Sequence, residues 1–280
     1  MMPAVSLPDI PTVIAVDTHA HVFARGLPLA ATRRYAPDYD VGVDEYLTRL
    51  DANAISHGVL VQPSFLGADN SYLIAALRAH SQRLRGIAMI DADIGREQLQ
   101  DLRDAGVVGI RFNLVGGAEI PDFSSARWRR VLADIAHHQW LVEIHREARD
   151  LPLVLPALLD AGVNIVVDHF GRPDPEQGVG DPGFRYLLKI ARTRRVWVKL
   201  SAAYRNGGVV TGNRIAAAAV PLLRQEFGLQ HLLWGSDWPH TQHERLTDYR
   251  QECRELNALL PEIMERDQVL RAAAQLYQFS

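Results

Sequence analysis

Two histidines two residues apart close an apolar run that reads Val13-Ile14-Ala15-Val16-Asp17-Thr18-His19-Ala20-His21. Near the other end of the chain, His231-Leu232-Leu233-Trp234-Gly235-Ser236 runs out into Asp237, followed by Trp238-Pro239-His240. Side chains two apart on a strand share a face, so His19 and His21 project together from one strand end while Asp237 projects from another. A His-x-His pair can set two imidazole nitrogens on one metal ion or one carbonyl oxygen. A carboxylate beside them can take a proton from water, provided a shielded site or a metal compensates for an ordinary pKa of about 3.9. Together these groups have the makings of a hydrolytic site. Each also has a plain structural reading: one histidine as a satisfied core residue, Asp237 as the cap of a helix after Pro239.

Eight apolar runs can act as strands to position them: Val13–Thr18, Gly58–Gln62, Arg85–Ile90, Val108–Asn113, Leu141–His145, Asn164–Asp168, Val196–Leu200 and His231–Gly235. Helical patterns lie between them near Asp44–Asn53, Asn70–His80, Arg96–Ala105, Ser125–Gln139, Leu151–Asp160, Phe184–Arg194 and Arg214–Phe227, with two more near Glu244–Leu259 and Pro261–Tyr277. Continuous rather than alternating apolar strands imply a parallel sheet covered by helices. Eight such units predict a (β/α)8 TIM barrel, with extra C-terminal helices, as one domain over residues 1–280.

Polar residues gather where the strands end, the rim that carries function in such barrels: His19 and His21, Gln62 and Ser64, Asp91, Arg111 and Asn113, Glu143 and His145, His169, Lys199 and Ser201, and Asp237. His169 opens the turn Phe170-Gly171-Arg172-Pro173, which presents Arg172 beside it. Asp168 should point away from the histidine's face and orient a loop or pair locally. Glu143 and His145 face the same way, so either enters the mouth or the two satisfy one another. Arg111 calls for an anion, with Asp91 or Glu143 as the plain partner and a substrate carboxylate as the sharp one.

The formal net charge of −3 and the mixing of acids with bases favour neither nucleic acid nor a membrane surface. A small molecule is the expected partner, with a homo-oligomer also compatible. One cysteine, Cys253, makes no internal disulfide and suits a reducing compartment. Residues 1–12 lack a basic start and a long apolar core, and the apolar run Ile215–Leu223 is broken by Pro221 and too short for a bilayer, so a cytoplasmic protein is expected.

The stretches Val16–Phe23, Gly58–Ser64, Gly109–Asn113, Val167–Pro173, Val198–Ser201 and Gly235–His240 resemble, in order, those of the amidohydrolase superfamily, specifically its branch of lactone hydrolases acting on 2-pyrone-4,6-dicarboxylate and related rings. The resemblance implies a distorted barrel that hydrolyses a lactone, with His19, His21 and His169 polarising the carbonyl and Asp237 deprotonating water. It also implies that Arg111 and Arg172 bind substrate carboxylate, with Ser64, Asn113, Glu143, His145, Arg205 and His240 as further substrate-binding candidates. Where that branch has a basic pair after the Gly-Ile-Arg-Phe-Asn stretch, this chain has Gly116-Gly117. One carboxylate anchor is then missing or supplied by Arg205 or Arg146, which predicts weaker use of pyrone dicarboxylate than of a lactone with one fewer charge.

No metal is expected to be obligatory, because look-alikes in this branch act without one. Should an ion bind, Zn²⁺ on His19, His21, His145, His169 and Asp237 fits best. A metal-dependent decarboxylase of the same superfamily and a non-catalytic ligand-binding barrel are the rival readings.

Overall fold

The computed structural model describes residues 15–279. Its eight strands are β1 (Val16–Ala20), β2 (His57–Val61), β3 (Leu84–Ala88), β4 (Val107–Asn113), β5 (Leu141–His145), β6 (Asn164–Val167), β7 (Val196–Leu200) and β8 (Leu232–Trp234). They pair in chain order, each parallel to the next. The helices are α1 (Val43–Ala52), α2 (Ser71–Ala79), α3 (Arg96–Asp104), α4 (Ala126–His137), α5 (Leu151–Asp160), α6 (Pro182–Ile190), α7 (Gly208–Phe227), α8 (Tyr249–Leu259) and α9 (Ile263–Leu276). This is the expected (β/α)8 barrel with C-terminal helices. Val13 and Ile14 of the expected first strand, and the opening residues read for a leader, lie outside the described residues.

The sheet closes beyond β8. The His21 amide donates to the Trp238 carbonyl and the Asp237 amide to the His19 carbonyl, both at 2.8 Å. Asp17 locks the same seam, accepting from the Ser236 amide at 2.8 Å and its hydroxyl at 2.7 Å. Gly235 is required there, since a Cβ would stand 2.6 Å from that of His19.

Apolar side chains fill two shells. Leu77, Leu102, Val131, Leu155, Phe184 and Leu223 fasten helices to the outside of the sheet. Val16, Val59, Ile87, Val108, Leu141, Val166 and Leu233 fill the barrel, with Tyr277 and Phe279 from the chain end packed among them. Each fully buried aliphatic or aromatic side chain contributes about 1.5–3 kcal/mol over leaving it in water.

Two boundaries depart from expectation. No helix starts after Pro239; α8 begins at Tyr249, and Asp248 rather than Asp237 caps it, accepting from the Gln251 amide at 2.8 Å. Pro221 does not break its segment, since α7 runs through it from Gly208 to Phe227 and buries Ile215, Ala219, Leu223 and Phe227. Packing of that face outweighs the proline's missing donor. Among the described residues no helix is long and apolar enough to cross a membrane.

Candidate active site

The pairing of β1 with β2 slips between Asp17 and Ala20. Asp17 therefore bonds outward to the Tyr249 hydroxyl of α8, at 3.1 Å, while His19 faces the barrel interior. His19 and His21 do share a face, their rings 5.0 Å apart.

Their neighbours fix where the protons sit. Nδ1 of His21 lies 2.7 Å from the Val61 carbonyl, which only accepts, so Nδ1 carries the proton and Nε2 of the neutral ring is a lone pair. Nδ1 of His19 lies 3.0 Å from the Lys199 ammonium, which only donates, so His19 keeps its proton on Nε2. The Asp168 carboxylate is farther from that nitrogen, at 3.5 Å. His145 follows the His19 pattern, its Nδ1 3.0 Å from the Arg111 guanidinium. His169 pairs Nδ1 with the Ser201 hydroxyl at 2.8 Å, which satisfies either tautomer. Burial lowers the His21 pKa to about 4, with Arg111 adding to it, and lowers that of His169 to about 3.

The two oxygens of Asp237 have different surroundings. Oδ2 accepts from the Tyr204 hydroxyl at 2.5 Å and from Nε of Arg205 at 2.7 Å. Oδ1 is buried without a hydrogen-bond partner and faces Nε2 of His19, His169 and His21 at 3.6, 3.9 and 4.0 Å. Burial alone would raise this carboxyl, but Arg205 and then the three histidines outweigh it and hold the pKa well below the usual carboxylate range.

Beneath the cluster runs a ladder of buried charge. Lys199 contacts Glu143 at 2.7 Å and Asp168 at 3.4 Å, Arg111 holds Asp168 at 2.9 Å, and the Tyr277 hydroxyl donates to Glu143 at 2.8 Å. Asp168 thus points inward and pairs with distant residues, contrary to the outward, local role expected of it. The alternation fails because His169 takes a left-handed turn, φ 51°, which brings its ring to the same interior. Arg111 is partnered by Asp168, not by Asp91 or Glu143, and Glu143 and His145 do not pair with each other.

A cavity of about 320 Å³ opens over the histidines. Of the residues expected at the site, it is lined by His21, Ser64, Arg111, Asn113, His145, His169, Arg172, Arg205 and Asp237, with His19 directly beneath. Glu143 and His240 do not line it: Glu143 belongs to the ladder, and Nδ1 of His240 lies 3.2 Å from the Tyr204 hydroxyl. Arg146 is also elsewhere, bonded to Asp150 at 2.8 Å and to the carbonyls of Leu114 and Ala118. Asp91 lines a separate cleft of about 420 Å³ that has no histidine or arginine in its walls. Arg34, Tyr35, Glu147, Gln242 and His243 also line the cavity, with Val115 and Gly116, and these five were not expected from sequence. They sit on irregular segments where no apolar period marks a facing side.

A profile of the amidohydrolase family matches residues 16–279. The chain belongs to the amidohydrolase family. A 2-pyrone-4,6-dicarboxylate hydrolase of Comamonas testosteroni is 35% identical over 240 residues, 81% of this chain and 77% of that protein. A 4-sulfomuconolactone hydrolase of Hydrogenophaga intermedia is 31% identical over 229 residues, 80% of this chain and 74% of that protein. A solved structure from Pseudomonas putida, described as a candidate 2-pyrone-4,6-dicarboxylic acid hydrolase, is 44% identical, with a TM-score of 0.89 covering 96% of this chain and 98% of that one.

Whether this amidohydrolase suits a divalent ion turns on its imidazole protons. His19, His169 and Asp237 have ligand atoms within 4.8 Å of one another and could hold an ion once His19 moves its proton from Nε2 to Nδ1. The full set of five does not fit, however. Lys199 and Arg111 each donate to an Nδ1, leaving Nε2 of His19 and of His145 protonated and unable to ligate without a tautomer change.

Proposed function

We propose that this amidohydrolase opens a carboxylated lactone by metal-independent hydrolysis, with Asp237 as general base. The observation that carries the reading is the asymmetry of Asp237, one oxygen pinned by Tyr204 and Arg205 and the other unpartnered beneath an arginine-lined cavity. Oδ1 takes a proton from water as the water oxygen bonds to the lactone carbonyl carbon. The developing oxyanion accepts from Nε2–H of His19, a donation of the kind that is worth about two to three orders of magnitude in rate. Collapse breaks the ring C–O bond, and Asp237 returns its proton to the departing oxygen.

His169 stands where it can donate beside His19. Because the Val61 carbonyl leaves His21 with a lone pair at Nε2, His21 suits the second hydrogen of the water better than the carbonyl. Arg172 has no carboxylate within 4.0 Å among the described residues, and burial, with Arg205, lowers its pKa to about 10. It is therefore a free guanidinium for a substrate carboxylate, which it can grip through two parallel hydrogen bonds.

A panel of carboxylated lactones, assayed with and without chelator, tests the reading. Wild-type protein should turn over at least one with chelator present, and Asp237→Asn should lose about two to four orders of magnitude. Complete loss with chelator, restored by Zn²⁺ or Mn²⁺ and accompanied by release of carbon dioxide, would assign a metal-dependent decarboxylase instead.

A further inference from the structure

Four guanidiniums line the cavity, Arg34, Arg111, Arg172 and Arg205, against two carboxylates, Glu147 and Asp237. Four of these six charges have a partner within the protein. Arg205 is paired with Asp237 at 2.7 Å, Arg111 with Asp168 at 2.9 Å, and Glu147 lies 3.6 Å from Arg146, outside the cavity wall. Arg34 and Arg172 are left over, neither within 4.0 Å of a carboxylate among the described residues. Two guanidiniums without an ion pair facing one cavity favour an anionic occupant that offers a carboxylate to each, with Glu147 only partly offsetting them.

Arg34 also has a built seat. It lies on the segment between β1 and α1, whose ends are joined by the paired backbone of Phe23 and Val41 at 3.0 and 2.8 Å. The adjacent Tyr35 packs its ring 5.3 Å from that of Phe65, and the Ala30 amide donates to the Phe65 carbonyl at 2.8 Å. Although the residue as a whole is exposed, its guanidinium reaches the cavity and donates to Oδ1 of Asn113 at 3.2 Å. Its stem crosses Gly116, where a Cβ would stand 3.4 Å from Cδ of Arg34, and no atom approaches the Cβ position of Gly117 within 4 Å. A side chain at Gly116 would compete with Arg34 for the space, and both glycines sit at positive φ, 74° and 79°. Tied by its amide to Glu147 at 3.0 Å, the bare Gly116-Gly117 turn is the floor on which Arg34 lies.

We propose that Arg34 is a specificity-determining residue that binds the second carboxylate of a dicarboxylated ring, in the space left open by Gly116 and Gly117, while Arg172 binds the first. This rests on the lactone reading above and reverses the expectation that the glycine pair weakens use of a dicarboxylate. The anchor lost from one loop is supplied by another.

Calorimetric binding of two stable planar acids to the whole protein tests it, benzene-1,3-dicarboxylate against benzoate. Wild type should prefer the dicarboxylate by at least about tenfold, the size expected of one added charge-assisted contact. Arg34→Gln should lower that preference by about tenfold, with the loss falling on the dicarboxylate, and Arg34→Lys should recover only part of it because the fork is gone. No preference in wild type, an unchanged preference in Arg34→Gln, or equal weakening of both acids would overturn the proposal, the last by showing that Arg34 only shapes the loop. Should the predicted preferences hold while no lactone is hydrolysed, the lactone reading fails and the dicarboxylate seat stands.

Discussion

The ammonium of Lys199 lies 3.0 Å from Nδ1 of His19, and both side chains are fully buried. A lysine placed there does more than balance Glu143 and Asp168, because it favours the tautomer of His19 with the proton on Nε2.

Lys199→Met should therefore have two separable effects. Leaving Glu143 buried without its cation, while Asp168 keeps Arg111, should cost about 3–5 kcal/mol in denaturant unfolding. Adding Glu143→Gln should recover much of that stability without restoring turnover, because His19 is then free to move its proton to Nδ1. Nitrogen chemical shifts of His19 report the tautomer directly. An Nε2–H form that persists in the double variant would remove Lys199 from that part.

Tyr204→Phe removes one of two donors to Oδ2 of Asp237, and a donor to a carboxylate favours its charged form. The carboxyl pKa should rise, so the acid limb of kcat/KM, which requires ionised Asp237, should move to higher pH. Arg205→Gln should move it further, since Arg205 is the largest influence holding that pKa down. An acid limb that stays fixed in both variants would mean that another group controls it.

Arg172→Lys should raise KM for a carboxylated lactone and leave a neutral lactone of similar size little affected, because an ammonium cannot reproduce the two-pronged grip. Equal loss on both substrates would make Arg172 a support for its loop.

Stability should also fall in mild acid. Burial lowers the pKa of His21 to about 4, of His169 to about 3 and of His240 to about 4, against about 6.5 in the unfolded chain. A group lowered on folding contributes stability fully present above the unfolded value and lost as pH falls toward the folded one. Each histidine should thus remove about 1.4 kcal/mol per pH unit below about 6.5, with Glu252, whose carboxyl burial raises to about 8, offsetting the effect of one of them. Denaturant unfolding at pH 7.5, 6 and 5 measures it, and a flat profile would show that the folded state already carries the protons.

The barrel and the core of the site were legible because they obey short rules. Apolar runs ending in polar residues marked the strands, and the two-residue period put His19 and His21 on one face. Asp237 and His169 could be read because each terminates such a run. Asp168 was misplaced because a left-handed residue follows it and cancels the alternation. Glu143 was placed in the mouth because Lys199, its partner across the barrel, is adjacent only after closure. Arg34 and Tyr204 escaped notice on segments that have neither period nor motif, and their parts depend on which oxygen or glycine they meet in space.

The seam has a consequence for how the molecule comes into being. His19 and His21 sit at one edge of the sheet and Asp237 just past the other, held together by the His21 to Trp238 and Asp237 to His19 amide bonds. A growing chain that has released its first strand from the ribosome already carries His19 and His21, yet Asp237 arrives only after the last strand. Until then the arginines have no closed cavity to line and His19 and His21 no carboxylate to face. On the proposed mechanism the emerging polypeptide is chemically silent through most of its synthesis, and the first turnover would mark the ring as shut.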